Sequence, residues 1–296
     1  MPELPEVETV RRSLAPSIEG RRIDHVVISD PRLTRPEDPG EVAKQLEGER
    51  VASVDRRGKY LLVRFASGRV LLIHLRMTGS LLHAEPGGLG DDPYRRALVT
   101  LDDGSELAYR DVRRFGTWLL LDADEAAEHL DARVGPEPLD GLRAATLARA
   151  LARRRAPVKS AILDQRTVAG VGNIYADEAL WWARIHPLRP ADSLDAAEVK
   201  RLRDGIKRAL DRGLARQGST LRDYRLPDGT SGGMQHEFKV YGRTGQPCDR
   251  DGTPIEKIKV GGRGTWYCPT CQRPPYAGAP TSASSRPSRS RARSSA

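Results

Sequence analysis

Residues 163–180 read Leu-Asp-Gln-Arg-Thr-Val-Ala-Gly-Val-Gly-Asn-Ile-Tyr-Ala-Asp-Glu-Ala-Leu, a pattern that predicts two helical stretches around a Gly-Val-Gly-Asn turn. We expect Asn173 to be the N-cap of the second helix. Gly170 and Gly172 allow close approach of the backbone, and free amides at a helix start can hold a phosphate group. From this segment alone, an ordinary helix–turn–helix packing element is an equally good interpretation.

The sequence on both sides of this turn is also helical in character. Leu142–Arg154 is rich in Ala, Leu and Arg, which have high helix propensity. Leu194–Arg216 predicts a long helix with Ser193 as a plausible N-cap. Its apolar residues recur every three or four positions and form a core-facing stripe, namely Val199, Leu202, Ile206, Leu210 and Leu214. Gly135-Pro136-Glu137-Pro138 is a candidate linker that precedes this helical region.

The region from residue 21 to residue 121 has a different pattern, with short apolar or alternating runs separated by Gly and Asp. These runs are Ile23, Val26–Ile28, Val51–Val54, Tyr60–Phe65, Val70–Leu75, Leu98–Leu101 and Trp118–Leu121. Short strands spaced in this way predict a β-sandwich or a barrel.

The chain starts Met-Pro-Glu-Leu-Pro-Glu-Val-Glu, and Pro2 is its most informative residue. Initiator methionine is commonly removed before a small residue, which would leave Pro2 as a terminal secondary amine. An α-amino group titrates at about 7.7–8.0, so a usable fraction is a neutral nucleophile near neutral pH. Glu3 and Glu6 place carboxyl groups close to this amine. An amine with a carboxylic acid is the combination that a glycosylase with lyase activity needs.

A purely structural interpretation of the same residues also exists. Pro5 suits the first turn of a helix, and acidic residues suit its positive end. Val7, Val10 and Leu14 would then face a core. The two interpretations are compatible, because a helix N-terminus directs its amides toward whatever binds there. Lys59 begins an apolar strand, and taken alone it favours a surface lysine.

All three cysteines lie in the last fifth of the chain. Cys248-x-x-Asp251 is followed, after sixteen residues, by Cys268-x-x-Cys271, a spacing typical of a zinc ribbon. Asp251 would be the fourth ligand, although a carboxylate is a harder ligand than a thiolate. The alternative is a metal-free hairpin with three free thiols. A clustered, odd number of cysteines without a secretion signal favours metal binding in a reducing cytoplasm.

The charge of the chain indicates a polyanionic partner. The 296 residues carry a formal net charge of +9, and residues 248–296 hold nine basic and three acidic residues. A basic tail that only aids solubility is the alternative. Residues 279–296 are rich in Ser, Arg, Pro and Ala and are expected to be disordered. The sequence contains no apolar run long enough for a membrane span, so we expect a cytoplasmic protein.

Six segments in order resemble the formamidopyrimidine-DNA glycosylase family. They are the Pro-Glu-Leu-Pro-Glu-Val-Glu start, the Arg-Arg-Gly-Lys-Tyr strand, His74–Gly79, Arg113–Gly116, Val168–Leu180 and the finger segment Val240–Cys271. The resemblance runs from residue 2 to about residue 272. Leu4 separates the chain from the related endonuclease VIII group, which usually carries Gly at that position.

The resemblance implies an α+β fold, with an N-terminal β-sandwich and its leading helix, a helix–two-turn–helix domain and a C-terminal zinc-ribbon hairpin. The implied domains are residues 1–131, 132–237 and 238–273, followed by an Arg/Ser-rich tail at 274–296. Damaged double-stranded DNA would lie in the cleft between the two halves. We expect a monomer with one structural Zn²⁺ and no membrane partner.

The resemblance also assigns roles to individual residues. Pro2 is the nucleophile that forms a Schiff base at C1′, Glu3 protonates the opening sugar ring, Glu6 shapes the active site and Lys59 contacts phosphate near the lesion. The implied DNA-binding residues are His74, Met77, Arg113, Phe115, Asn173, Thr220, Tyr241 and Arg263. Met77, Arg113 and Phe115 would fill the gap left by the flipped nucleotide, and Arg113 would face the orphaned cytosine. Thr220 belongs to a loop, Gly218–Gln235, that would close over the extruded base.

The sequence thus predicts a bifunctional DNA glycosylase and AP lyase that removes 8-oxoguanine opposite cytosine and formamidopyrimidines. An enzyme specific for oxidised pyrimidines, like endonuclease VIII, is one alternative, and a catalytically silent DNA-binding paralogue is another. Two departures from the family pattern stand out. Asp251 replaces a cysteine, and Ser231-Gly232-Gly233-Met234 lacks the expected aromatic residue.

Overall fold

The first helix forms at the start of the chain, as the sequence predicts. The structure is a computed structural model that describes residues 1–274. Helix α1 (Leu4–Ile18) begins with a capping box, in which the backbone N–H of Glu3 donates to the Glu6 carboxylate at 2.9 Å. The predicted core face is confirmed, since Val7 and Val10 are fully buried.

Two four-stranded antiparallel sheets follow α1. One has the order β1-β6-β7-β5 and the other the order β2-β3-β4-β8. The first consists of β1 (Ile23–Ile28), β6 (Arg95–Leu101), β7 (Glu106–Asp111) and β5 (Gly79–Ala84). The second consists of β2 (Val51–Arg57), β3 (Tyr60–Phe65), β4 (Val70–His74) and β8 (Thr117–Leu121).

The two sheets share one hydrophobic core, which confirms the predicted sandwich. Val26 and Val99 from the first sheet belong to the same buried cluster as Val63 and Ile73 from the second. Helix α3 (Ala123–Asp131) covers the outer face of the second sheet. Strands β5 and β7 and helices α2 (Pro39–Leu46) and α3 were not expected.

The second half is helical, with α4 (Ala144–Leu151), α5 (Val158–Leu163), α6 (Asn173–Ala183) and α7 (Ala196–Ala215). The predicted N-cap at Ser193 is wrong. Asp195 caps α7 instead, because its carboxylate accepts from the Glu198 N–H at 2.7 Å and the Glu198 side chain accepts from the Asp195 N–H. This reciprocal pair satisfies two helix-end donors, whereas Ser193 ends a 3₁₀ turn.

The C-terminal region forms a two-stranded hairpin of β9 (Glu256–Val260) and β10 (Arg263–Tyr267). Gly261 and Gly262 make the turn with positive φ angles of 55° and 80°, which explains the two glycines. The residues predicted to be disordered, 279–296, lie outside the described part of the chain. The domain boundaries stay a prediction. Within residues 1–274, none of the helices has the length and apolar character that crossing a membrane requires.

The packing of α6 on α7 gives a test of the helical core. A methyl group on Gly205 would lie 2.5 Å from the Ala179 carbonyl oxygen, so backbone would have to move. We expect Gly205→Ala to lower the free energy of unfolding by about 1 kcal/mol or more, despite the better helix propensity of alanine. Chemical denaturation measures this change. Gly40→Ala adds the same group at an exposed helical position, where its close neighbour is a side-chain oxygen of Asp38 at 3.1 Å and not backbone, so its effect should be clearly smaller. Equal effects of both variants would contradict the packing.

Candidate functional site

The first turn of α1 lies inside the protein, against the start of α6. Pro2 is buried, while Met1 is 48% exposed. The Leu4 N–H donates to the Gly170 carbonyl at 3.0 Å, which ties the chain start to the turn before α6. The structure thus places the predicted nucleophile in a protected position beside two buried carboxyl groups, those of Glu3 and Glu6.

The Glu3 carboxylate occupies the N-terminus of α6. It accepts hydrogen bonds from the backbone N–H groups of Gly172 at 2.7 Å, Ile174 at 2.9 Å and Tyr175 at 3.3 Å. Burial raises the pKa of Glu3, and the positive charge of Lys59 partly opposes that rise. A carboxyl group in this environment can hold a proton at a higher pH than an exposed glutamate.

The two glycines of the turn have the predicted role of close approach. A Cβ on Gly172 would lie 2.3 Å from the Glu3 carboxyl carbon, and a Cβ on Gly170 would lie 2.5 Å from Leu4 Cβ. The expected N-cap is shifted by one residue, since Gly172 is the N-cap and Asn173 is the first helical residue. Three amides at this helix start bind Glu3, so they are not free for a phosphate as the sequence suggested.

Glu6 connects three separate parts of the chain. Its carboxylate accepts from the backbone N–H of Glu3, from the Tyr175 hydroxyl at 2.8 Å, and from the Ser219 N–H at 2.7 Å and hydroxyl at 3.1 Å. Ser219 is the second residue of the loop predicted to close over an extruded base. Glu6 therefore fixes the first residues of that loop beside the buried carboxyl groups.

Lys59 is buried, not a surface lysine, with 6% of its surface exposed. It follows the Gly58 turn between β2 and β3. Burial lowers the pKa of the Lys59 ammonium group, the carboxylates of Glu3 and Glu6 oppose this, and the positive charge of Arg263 adds to the lowering. The finger arginine and the two buried carboxyl groups thus all influence the charge of this one lysine.

A second group of predicted residues lies on two loops of the sandwich, residues 75–78 and 112–116, which we call the wedge loops. Met77 is 39% exposed and Phe115 is 50% exposed, and the Arg113 guanidinium carbon lies 4.7 Å from the Phe115 ring centre. Exposed apolar side chains with a stacked arginine can take the place of lost base stacking.

His74 lies at the base of the first wedge loop and is buried. Its Nδ1 accepts from the Arg76 N–H at 3.0 Å, and its ring meets the Tyr60 ring edge-on at 4.7 Å. Burial lowers the pKa of His74 to about 3, and the charges of Arg76 and Lys59 add to this. The ring is therefore neutral at physiological pH, and its DNA contact stays a prediction.

Helix α6 also holds the finger hairpin. Buried Lys159 donates to Asp177 at 2.7 Å, to the Gly264 carbonyl at 3.1 Å and to the Thr265 hydroxyl at 2.8 Å. Asp177 in turn accepts from the Trp266 N–H at 3.1 Å. Burial raises the pKa of Asp177 to about 7, although the neighbouring lysine opposes the rise. Sequence reasoning missed this lysine–aspartate pair, because the hairpin groups that it binds lie far along the chain.

The three predicted phosphate-binding residues meet around this hairpin. Asn173 donates through Nδ2 to the Gly264 carbonyl at 3.1 Å, Arg263 is exposed at the start of β10, and the Tyr241 ring packs on Trp266 at 4.5 Å. The Glu178 carboxylate fixes the Tyr241 segment by accepting its backbone N–H at 3.0 Å. The structure thus brings these residues into one surface.

Thr220 lies inside the loop at 218–235 and holds its two ends together. Its N–H donates to the Gln235 side chain at 2.9 Å, its hydroxyl donates to the Tyr224 carbonyl at 3.1 Å, and that hydroxyl accepts from the Gly232 N–H at 3.0 Å. In this conformation Thr220 shapes the loop, and a contact with an extruded base stays a prediction.

The predicted metal ligands converge at the base of the finger. The ligand atoms of Cys248, Asp251, Cys268 and Cys271 all lie within 4.8 Å of one another. Four ligands around a tetrahedral zinc at about 2.3 Å would be ~3.8 Å apart, so this donor set fits one structural zinc ion. Trp181 and Arg250 complete the surroundings, since the Trp181 indole N–H donates to the Cys248 sulfur at 3.3 Å and the Arg250 guanidinium approaches the Cys271 sulfur at 3.6 Å. A bound zinc would hold the hairpin in place.

Three family profiles match successive parts of the chain. Residues 1–118 match the formamidopyrimidine-DNA glycosylase N-terminal domain, residues 134–225 match its H2TH domain, and residues 245–274 match a zinc finger found in FPG and IleRS. The finger profile matches although Asp251 stands in one ligand position.

Curated relatives cover almost the whole chain. The formamidopyrimidine-DNA glycosylase of Chloroflexus aggregans is 48% identical over 92% of this chain and 98% of its own length. That of Symbiobacterium thermophilum is 47% identical over 98% of this chain and 95% of its own length.

Solved structures of Lactococcus lactis Fpg have the same fold. The complex of a single-residue mutant of that protein with DNA containing Fapy-dG has a TM-score of 0.86 at 37% identity. The match covers 92% of this chain and the whole of the Lactococcus lactis chain. A complex of the wild-type protein with DNA containing an oxidized pyrimidine has a TM-score of 0.85 at 36% identity and the same coverage. A MutM complex with DNA containing carbocyclic 8-oxo-G also has a TM-score of 0.85, at 37% identity and the same coverage.

The metal site gives a direct test. Purified protein should contain about one zinc per chain by elemental analysis, because three thiolates and one carboxylate are available. Asp251→Cys should retain this zinc and release it more slowly to a chelator, since a fourth thiolate binds zinc better. Asp249→Ala is a matched control, because the Asp249 carboxylate pairs with Lys239 and Arg243 outside the cluster. Zinc well below one per chain in the wild type and in Asp251→Cys would contradict the site.

Proposed function

Because the chain belongs to the formamidopyrimidine-DNA glycosylase family, we propose that it is a bifunctional glycosylase and AP lyase acting on oxidised purines in duplex DNA. The observation that supports this most is the group of buried residues at the chain start. There Pro2 lies next to Glu3, whose pKa burial raises, and Glu3 and Lys59 interact electrostatically. An amine nucleophile, a proton donor and a cation for phosphate are thus close together.

In the proposed reaction, the secondary amine of Pro2 attacks C1′ of the damaged nucleotide after removal of Met1. The glycosidic bond breaks, and the base leaves with its bonding electron pair and takes up the proton that the Pro2 amine releases. Glu3 donates its proton to the ring oxygen, the C1′–O4′ bond opens, and an iminium ion forms between Pro2 and C1′. Glu6 holds this geometry through Tyr175 and Ser219.

Strand cleavage follows from the same intermediate. The iminium ion withdraws electrons, so a base can remove the acidified C2′ proton and the 3′ phosphate leaves by β-elimination. A second elimination expels the 5′ phosphate. Water then hydrolyses the iminium bond and releases the enzyme. This β,δ-elimination needs no metal step, so the zinc has a structural role only.

The proposed DNA surface has two parts. Lys59, Asn173, Tyr241 and Arg263 would hold phosphates around the lesion, which gives affinity and register without reading base identity. The wedge loops would fill the gap left by the flipped nucleotide through Met77, Arg113 and Phe115, with buried His74 beneath them. Thr220 would contact the extruded base from the closing loop. Base extrusion costs a few kcal/mol, and a damaged base lowers that cost.

The proposed lesions are 8-oxoguanine opposite cytosine and formamidopyrimidines, since relatives bind DNA containing Fapy-dG and carbocyclic 8-oxo-G. Oxidised pyrimidines are a second candidate, because a relative also binds DNA with an oxidized pyrimidine. Comparing excision from 8-oxoguanine and thymine-glycol duplexes separates the two. A silent DNA-binding paralogue is less well supported, because Pro2, Glu3 and Lys59 are all retained in one buried site.

The amine chemistry is tested by borohydride trapping on a duplex with 8-oxoguanine opposite cytosine. The wild type should form a covalent adduct, and Pro2→Gly should trap at least tenfold less because it replaces the secondary amine. DNA binding by Pro2→Gly, measured by gel shift, should stay within about threefold of the wild type. Equal trapping by both proteins would rule out Pro2 as the nucleophile.

The phosphate role of Arg263 is tested by the salt dependence of binding. Arg263→Ala should weaken binding to all duplex sequences alike and reduce the slope of log K against log salt by about one, because one phosphate contact is lost. Arg273→Ala, an exposed arginine beyond the hairpin, is the matched control. A defect that depends on the DNA sequence, or an unchanged slope, would contradict this role.

A further inference from the structure

The carboxylate of Asp111 is buried at the end of β7, and the chemistry proposed above does not use it. Its side chain is 1% exposed. Oδ1 accepts from the Thr78 hydroxyl and from the Arg113 N–H at 3.2 Å, and Oδ2 accepts from the N–H groups of Phe115 at 2.9 Å and Gly116 at 2.8 Å. Four donors thus converge on one carboxylate.

These donors belong to both wedge loops. Thr78 ends the loop that carries Met77, while Arg113, Phe115 and Gly116 belong to the other loop. The Thr78 hydroxyl also accepts from the Arg113 N–H at 3.0 Å, so it bridges the loops directly. Asp111 is therefore a shared anchor of two loops that are well separated in the sequence.

Each wedge loop contains an arginine in the left-handed conformation, which is unfavourable for a residue with a side chain. Arg76 has a φ of 52° and Arg114 a φ of 59°. Such backbone persists only where surrounding contacts fix it. Arg114 is held by the Asp30 carboxylate through two hydrogen bonds at 2.6 and 2.7 Å, next to the amides that Asp111 binds.

A buried tyrosine from β7, Tyr109, lies against Gly116 of the second wedge loop and against Gly79, the residue that follows the first. A Cβ on Gly79 would lie 2.4 Å from the Tyr109 hydroxyl, and a Cβ on Gly116 would lie 1.6 Å from it. Only glycine fits at either position. Tyr109 thus lies close to the backbone where each loop ends, and Asp111 accepts hydrogen bonds from both loops.

We propose that Asp111, with Thr78, is a positioning residue that fixes both wedge loops in the shape that fills the gap in the DNA, an inference that rests on the proposed roles of Met77, Arg113 and Phe115. Asp111 and Thr78 accept hydrogen bonds from the Arg113 N–H and so fix the backbone of Arg113. The fixed backbone limits the positions that the Arg113 guanidinium group can reach. Asp111 therefore contributes to recognition of the orphaned base, and not to the steps at Pro2.

The test separates recognition from chemistry. Asp111→Asn replaces one acceptor oxygen with an NH₂ group that faces N–H or O–H donors. Its excision of 8-oxoguanine opposite cytosine should fall about tenfold or more, the loss expected for one hydrogen bond to a charged group. The ratio of excision rates opposite cytosine and adenine should fall as well. Trapping on a preformed abasic site should stay within about threefold of the wild type.

Thr78 provides a matched pair of variants if Asp111→Asn folds poorly. Thr78→Val keeps the shape but removes the hydroxyl bridge, whereas Thr78→Ser keeps the hydroxyl. Thr78→Val should lower the cytosine-to-adenine ratio, and Thr78→Ser should retain it. An unchanged ratio in Thr78→Val and Asp111→Asn, or equal losses at the lesion and at the preformed abasic site, would overturn the proposal.

A binding measurement keeps this inference separate from the proposed function. The duplex contains a reduced abasic analogue opposite 2-aminopurine, whose fluorescence reports how the orphaned base is held without any reaction. Asp111→Asn and Thr78→Val should change the fluorescence of the bound complex, while Thr78→Ser should match the wild type. Identical fluorescence in all four proteins would overturn the role of Asp111. A wild type that binds but fails to trap would instead contradict the proposed lyase.

Discussion

The structure depends most on one interaction, the binding of the Glu3 carboxylate to the start of α6. Three backbone amides donate to this carboxylate, and the positive end of the helix dipole adds to the attraction. The contact joins the first residues of the chain to a helix in its second half. Pro2 beside it is buried, burial raises the pKa of Glu3, and a Cβ at position 172 would clash with the Glu3 carboxyl group. The same contact therefore stabilises the fold and forms the proposed reaction site.

Helix α6 extends this organisation to the rest of the molecule. Tyr175 donates to Glu6, Asp177 and Glu178 bind the finger backbone, and Trp181 contacts Cys248. Successive turns of one helix thus align the carboxyl site, the phosphate-binding surface and the metal cluster. A shift of helix α6 relative to its neighbours would therefore alter the carboxyl site, the phosphate-binding surface and the metal cluster together. The wedge loops are organised separately by Asp111, so recognition of the orphaned base can change without the chemistry changing.

Local patterns in the sequence predicted much of the fold, including the two core-facing helices, six of the eight sandwich strands and the finger hairpin. Gly172 was predicted as a point of close approach, but its partner was not, because Glu3 lies 169 positions away. Ser193 failed as a cap because Asp195 forms a reciprocal pair with Glu198. The contacts of Asp111 and Lys159 also depend on distant partners. Such contacts depend on tertiary packing, for which a local sequence pattern carries no signal.

The most direct measurement identifies the amino acid that becomes bonded to DNA. Borohydride reduction of the enzyme on an 8-oxoguanine duplex, followed by proteolysis and mass spectrometry, locates the sugar remnant. It should lie on the amine of Pro2, in a peptide that lacks Met1. Lys59 is the competing amine, because it is buried near the same carboxyl groups and burial lowers its pKa. A remnant on Lys59, or on any other lysine, would contradict the reaction proposed for this chain.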